Sequence, residues 1–319
     1  MLLTGTSKGK INSTWELTRA SIDGLVQAIE SGHNEVFSSY LATMARFHTY
    51  SARNVLLIAA QRPDATRVEG VRSWNELGRF VRPGEKGIFI FAPTVGVKNN
   101  NNIHNQSQNT SKKPAKGKKA AEGTKEPAQP ETQLLGFRGV YVFDIDQTGG
   151  EQLLDSRQPV DVAEKVEKSL AFAESQQFKI EYSDRIAPVK ATSYRGVIRL
   201  LAGMEPAEAF PVLLREVASQ MLYAIQRRTF VTRLIHQQET KAAAFVVCES
   251  LRLESKADFA DCQLYYGDAR LLTESLEVVH RTAAQILGAI SPSEDAEQTP
   301  AVAGAILKQA AQPAAQEVR

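Results

Sequence analysis

The sequence predicts an α+β fold, and three observations carry that expectation. Amphipathic helical patterns dominate residues 13–61. Two strongly apolar segments, "IFIFAP" from Ile88 and "GFRGVYVFDI" from Gly136, read as strands on either side of a polar insertion. Beyond them come a helix, three short strands and a series of further helices. With 319 residues, 43% of them hydrophobic, the chain is long enough for two domains with a core in each. The expected division is an N-terminal α+β domain over 1–152, a mostly helical domain with a small β-sheet over 153–290, and a flexible tail over 291–319.

Taken in order, the first helix opens at "STWE", where Ser13 is placed to cap free amides and Glu16 to reach back in a capping box, and it stops at Gly32. The next, "EVFSSYLATMARFH", sets Phe37, Leu41, Met44 and Phe47 or His48 on one side. Ser51 then caps a short helix in "SARNVLLIAAQ". After Pro63, "SWNELGRF" gives a turn or two of helix, and "RPGEKG" turns tightly into the first strong strand. Residues 96–133 are rich in Asn, Gln, Lys and Pro and almost devoid of large apolar side chains, so they form a disordered insertion between two paired strands. In the back half a helix in "DVAEKVEKSLAFAES" precedes strands around "FKIEYS", "APVKATSY" and "GVIRLLA", with Gly196 at a turn. Helices follow over about 206–228 and 234–253, then before and after Gly267.

Composition excludes some function classes. No stretch approaches the roughly 18 uninterrupted apolar residues of a membrane helix, and the N-terminus lacks the apolar core of a secretory signal, so the expected location is the cytoplasm. The two cysteines, Cys248 and Cys262, lack metal-ligand spacing and read as reduced, buried groups. The net charge of +2 is uneven: residues 1–95 carry +3, residues 96–133 carry +4 and residues 134–319 carry −5. A polyanion would therefore meet the front of the chain, and the acidic back half is a candidate surface for a protein partner.

The stretch "LLREVASQML", residues 213–222, has the outline of a zinc-peptidase helix without its histidines. Such a helix places two imidazoles at i and i+4 on one face, with a glutamate beside the first as general base. Here the corresponding run is Arg215, Glu216, Val217, Ala218, Ser219. Arginine is a permanent cation that repels a metal ion, and serine is a poor neutral ligand. Glu216 alone survives, without a metal-bound water to act on. It is expected to serve as a salt-bridge partner, to Lys241 or Arg215, and no metal or other cofactor is expected. The competing catalytic reading builds an unusual zinc site from Glu216, Glu239 and His236.

Residues 40–93 resemble the N-terminal domain of ArdC-type antirestriction proteins, a domain also attached to TraC-type primases. The features that carry the resemblance are "YSARN", a tryptophan followed by "LGR", and "VRPGEKGI", in that order and at matching separations. The back half is similar to the metallopeptidase-like domain that follows in that family, of zincin-like fold. There the first helix carries HExxH and the next supplies an acidic third ligand. The histidine positions fall on Arg215 and Ser219, and the acidic position falls near Glu239 or Lys241, the ungapped match favouring Lys241. The resemblance thus implies a peptidase framework altered at its ligand positions.

It also implies that the N-terminal domain binds single-stranded DNA. A sequence-tolerant binder needs cations to follow phosphates and flat side chains on which bases stack. The candidates are Arg53, Asn54, Arg62, Arg72, Trp74, Arg79, Arg82 and Lys86, with Arg79, Arg82 and Lys86 foremost. Phe80 is among the interleaved aromatics. Trp74, Phe89 and Phe91 also suit a core role. The leading expectation is a non-catalytic, single-stranded-DNA-binding protein. The alternatives are a working zinc peptidase and a protein-interaction scaffold.

Overall fold

The computed structural model describes residues 4–97, 132–153, 160–227, 230–253, 259, 265 and 267–291. It confirms a mixed α+β architecture. Helix α1 spans Thr4–Glu30 and ends at Gly32, whose φ of +79° suits glycine. Ser13 lies inside this helix, so the expected capping box at Ser13 is not its start; a helix once nucleated gains one bond per added residue and extends upstream. Helix α2, Asn34–Arg46, buries Phe37, Leu41 and Met44, the stripe its spacing predicts. Phe47, not His48, completes that apolar side. Ser51 caps α3, Ala52–Gln61, by accepting from the Asn54 amide at 3.3 Å.

Strand β1 (Val68–Glu69), helix α4 (Val71–Glu76), and strands β2 (Arg79–Val81), β3 (Ile88–Val97), β4 (Thr132–Asp144) and β5 (Thr148–Gly150) follow. One sheet has the order β1-β4-β3, which makes the two strong strands neighbours as predicted. β2 pairs antiparallel with β5, Phe80 opposite Gly149. The sequence reading continued the helix through Arg79 and Phe80. Instead α4 stops at Gly78, whose φ of +71° ends the helical turn and starts a strand. The partner β5, "TGG", carries no strand signature of its own. In β3, Ile88 and Ile90 point inward, while Phe89 lies on the other face with its ring 5.3 Å from Tyr141, so Phe89 is not core. The expected insertion over 96–133 lies, for 98–131, outside the described residues.

A buried carboxylate ties these pieces together. Asp144 is fully buried and accepts from the amides of Thr66 at 2.8 Å, Arg67 at 3.0 Å and Asp146 at 3.1 Å. Gln147 returns its side-chain oxygen to the Asp144 amide and donates through Nε2 to the Lys86 carbonyl at 2.8 Å and to Glu85 at 3.1 Å. The turn after β4 thereby fixes both the segment before β1 and the loop before β3.

In the back half α5, Val162–Ser175, is capped by Asp161. β6 (Lys179–Tyr182) runs parallel to β8 (Val197–Leu200), and β7 (Ala191–Tyr194) pairs antiparallel with β8. Arg195 and Gly196 join β7 to β8 with φ of 48° and 79°, the two positive values of a type I′ hairpin turn. Helices α6 (Pro206–Ala224), α7 (Arg233–Ser250) and α8 (Ala269–Ile290) pack on one another, and α2 packs on α7. Most of the helix expected just before Gly267 lies outside the described residues. Cys248 is buried as a free thiol, and burial pushes its pKa up to about 12; Cys262 lies outside the described residues. Residues 1–90 and 139–294 group into one compact unit, within which the expected boundary at 152 lies. No helix among the described residues is long and apolar enough to cross a membrane.

Replacing Asp144 by Ala leaves three amides without their acceptor in a buried setting and should lower stability by about 2–4 kcal/mol. Asp144→Asn should lose less, because one carbonyl oxygen remains. Urea denaturation of both variants gives the comparison, and equal losses would contradict the assigned role.

Candidate functional site

The turn fixed by Gln147 forms one wall of a cleft of about 530 Å³. Arg62 and Lys86 line it, together with Gln61, Glu85, Gly87 and Gln147. Gln61 positions the end of α3 here: its side-chain amide donates to the Phe89 carbonyl and accepts from the Phe89 amide, both at 2.9 Å. Arg62 follows directly, 3.7 Å from Asp64. The Lys86 side chain is exposed, and it forms no ion pair among the described residues. Glu85 is the one acidic lining group; the Gln147 amide, then Arg82, hold its carboxyl below the usual carboxylate range. At Gly87 an added Cβ would stand 3.0 Å from the Tyr141 side chain, so glycine lets that ring close against the cleft edge. Tyr141 is 45% exposed. Two cations and an accessible ring therefore meet at one place.

The second cluster sits on α6 and α7. Arg215 lies 3.2 Å from Glu216, and Ser193 donates to the other oxygen of that carboxylate at 2.7 Å. Of the two bases considered from sequence, Arg215 makes this contact. Gln220 extends the network to Ser193 at 3.1 Å and to the Gly196 amide at 2.8 Å, fixing the β7–β8 turn against α6. Ser219 stands 3.2 Å from His236 Nε2, and the Tyr223 ring covers the same imidazole at 3.7 Å between centroids. Arg227 grips both oxygens of Glu239 at 2.6 Å, and Ser275 donates to the same carboxylate. Burial pushes the Glu239 carboxyl up, against the pull of Arg227 and Ser275. Among the described residues no group of three or more His, Cys, Asp or Glu side chains is arranged to hold a metal ion.

Residues 16–143 match the family model of the N-terminal domain of the anti-restriction factor ArdC. These residues are similar to an ArdC-type N-terminal domain. Two crystal structures of the antirestriction ArdC protein from the R388 plasmid are similar to the chain. The metal-free structure is 15% identical, covers 86% of this chain and 98% of that one, and has a TM-score of 0.48. The Mn(II)-bound structure is 17% identical with the same coverage and a TM-score of 0.45. No curated protein matches the chain.

Within the matched region the predicted binding residues separate into several groups. Arg62 and Lys86 share the cleft. Arg82 is half exposed, but it donates to the Asp146 carbonyl and lies 3.4 Å from Glu85. Arg79 is turned toward β5, donating to the Thr148 hydroxyl at 2.8 Å, the Thr148 carbonyl at 3.2 Å and the Glu151 carbonyl. Trp74 is 0% exposed and donates through its indole to the Phe143 carbonyl at 2.9 Å, so it offers no face to a base. Asn54 is likewise buried. Arg72, 93% exposed, pairs with Glu76 at 2.9 Å on α4. Arg53 lines a different pocket, with α1 and α8. Sequence reading missed Tyr141, although its place in the period-two pattern of β4, on the face opposite Val140 and the buried Val142, was a usable signal. It also missed Arg227, whose position just beyond α6 carried no hint of its carboxylate partner.

Arg227→Met alone should destabilise the protein by roughly 3–5 kcal/mol, because Glu239 is left buried and uncompensated, whereas Arg227→Met with Glu239→Leu should recover most of that loss. A double-mutant cycle in urea measures it. A second expectation concerns pH. Burial, then Arg227, lowers the His236 pKa to about 4, and burial lowers that of His280 to about 4. Both are neutral in the folded chain at pH values where the unfolded chain, with a histidine pKa near 6.5, takes up protons. Stability is therefore greatest above about pH 6.5 and falls as pH drops toward 4. His236→Gln should flatten that decline in part, with His280 and His48, whose pKa burial also lowers, contributing to the remainder; an unchanged pH profile of the melting temperature would refute the assignment.

Proposed function

We propose that the chain is a non-catalytic protein that binds single-stranded DNA through its ArdC-type domain, with Arg62 and Lys86 meeting phosphates and Tyr141 stacking on a base. The observation that carries this reading is the cleft lined by Arg62 and by Lys86, which forms no ion pair among the described residues, with the exposed Tyr141 packed against Gly87 at its edge. Backbone-following cations with a stacking platform suit sequence-tolerant recognition of a strand whose bases are unpaired. Glu85 on the cleft wall limits the positive field, so the affinity is expected to be modest and salt-sensitive.

We further propose that the back half keeps a zincin-like framework whose carboxylates have exchanged metal chemistry for arginine pairing. Arg215 at Glu216 and Arg227 at Glu239 support this, since each guanidinium engages a carboxylate that metal chemistry would need free. The catalytic alternative built on Glu216, Glu239 and His236 would first have to break the buried Arg227 pair. Purified protein should then hold well below about a tenth of an equivalent of zinc, where a working peptidase holds about one. Tight stoichiometric zinc binding after dialysis against the metal would end the proposal for the back half.

For the front half, fluorescence anisotropy with a labelled oligonucleotide should show affinity falling with salt, with a slope of roughly 0.7 per phosphate neutralised. Lys86→Ala and Arg62→Ala should each weaken binding and reduce the slope, and Tyr141→Ala should cost about 1–3 kcal/mol without changing it. Arg79→Ala should instead lower stability. Absence of binding at low ionic strength, or variants indistinguishable from the parent, would rule the cleft out.

A further inference from the structure

A second basic site lies elsewhere in the same compact unit. Helices α1, α3 and α8 enclose a pocket of about 340 Å³. Its floor is apolar, formed by the buried side chains of Ile22, Leu56 and Leu276. Its walls carry three guanidinium groups, Arg19 from α1, Arg53 from α3 and Arg270 from α8, all on exposed residues. Asp23 and Glu277 share the lining, so three cations face two carboxylates. Neither Arg19 nor Arg270 forms an ion pair among the described residues. Two helices also begin at this pocket: the first residues of α3 and α8, Ala52 and Ala269, both line it. The positive end of the α3 dipole adds to the excess charge, while that of α8 is already met by its capping carboxylate, Asp268.

These features select a ligand with one strongly anionic end and one flat, apolar body. Guanidinium forks match the oxygens of a phosphate and stack on rings, and a phosphate monoester, carrying close to two charges, suits three arginines better than a singly charged carboxylate. The volume is at the small end of ligand sites, roughly 300–1,000 Å³, and so takes one ring system and not a length of strand. We propose that the pocket binds a nucleotide by its terminal phosphate with the base on the Ile22, Leu56 and Leu276 floor. The source is either a free mononucleotide or the 5′-phosphorylated end of a strand. Arg53 of the "YSARN" motif acquires a role here that the Lys86 cleft does not give it, and the site does not depend on that cleft.

Calorimetric titration of the full chain with dAMP, deoxyadenosine and inorganic phosphate tests the site. Binding of dAMP should be at least about tenfold tighter than that of deoxyadenosine or of phosphate alone, because only dAMP meets both the rim and the floor. Arg19→Glu and Arg270→Glu should each weaken dAMP binding by about tenfold or more. Glutamate in the first turn of a helix is favourable, so Arg270→Glu keeps α8 intact, and a melting curve checks it. Lys86→Ala should bind dAMP as the parent does, which separates this site from the cleft. Short oligonucleotides with and without a 5′-phosphate distinguish the sources: tighter binding of the phosphorylated form identifies a strand end, and dAMP binding alone identifies a free nucleotide. The proposal is overturned if dAMP binds no more tightly than deoxyadenosine, or if both charge-reversed variants bind it like the parent.

Discussion

The front half of this molecule depends on one buried carboxylate. Asp144 ends β4 and collects three backbone amides from two separate segments, so the segment before β1, the end of β4 and the following turn are fixed at a single point. Through Gln147 the same turn holds the loop that carries Glu85 and Lys86. Small strands of two and three residues cannot supply such rigidity from their own ladders. Side-chain acceptors substitute for the missing sheet. The cleft geometry is consequently inherited from a residue that does not line it.

This arrangement explains which parts of the site were legible in the sequence. The local signals, such as Ser51 before α3, the apolar stripe of α2 and the β-rich runs around Ile88 and Tyr141, describe neighbours along the chain and were readable. A cluster of arginines near residues 72–86 was readable as well, but not what each arginine faces. Arg79 and Arg82 reach the turn after β4, more than sixty residues ahead, where backbone carbonyls need donors. Nothing in their own neighbourhood distinguishes a guanidinium that binds such a turn from one that awaits a phosphate. Trp74 illustrates the same ambiguity, since only the distant Phe143 carbonyl decides that its indole is internal. β2 escaped notice because its partner strand is a run of threonine and glycines, and pairing with such a strand leaves no pattern to read.

The helical half shows how buried acids are accommodated between packed helices. Glu216 and Glu239 are buried acids that would be costly without compensation. Each is met by an arginine and a serine hydroxyl, Arg215 with Ser193 and Arg227 with Ser275. The helix sequence showed that no histidine pair stands at i and i+4, because spacing along one helix is a local property. It gave no warning of Arg227, which enters from beyond the end of α6. Ion pairing here fixes α6 to α7 and α8 in one register, which an all-apolar contact would specify less sharply.

The Gln61 side chain, introduced as the anchor of α3, has a further consequence. β3 is an edge strand of its sheet, and at Phe89 its outward amide and carbonyl are both engaged by the two ends of one glutamine amide. That amide imitates a peptide unit of a neighbouring strand, yet it belongs to a helix and cannot propagate a ladder. An edge with strongly apolar residues is a template for unwanted association with other chains. At this position the glutamine terminates the template, so solubility and site geometry rest on the same two hydrogen bonds.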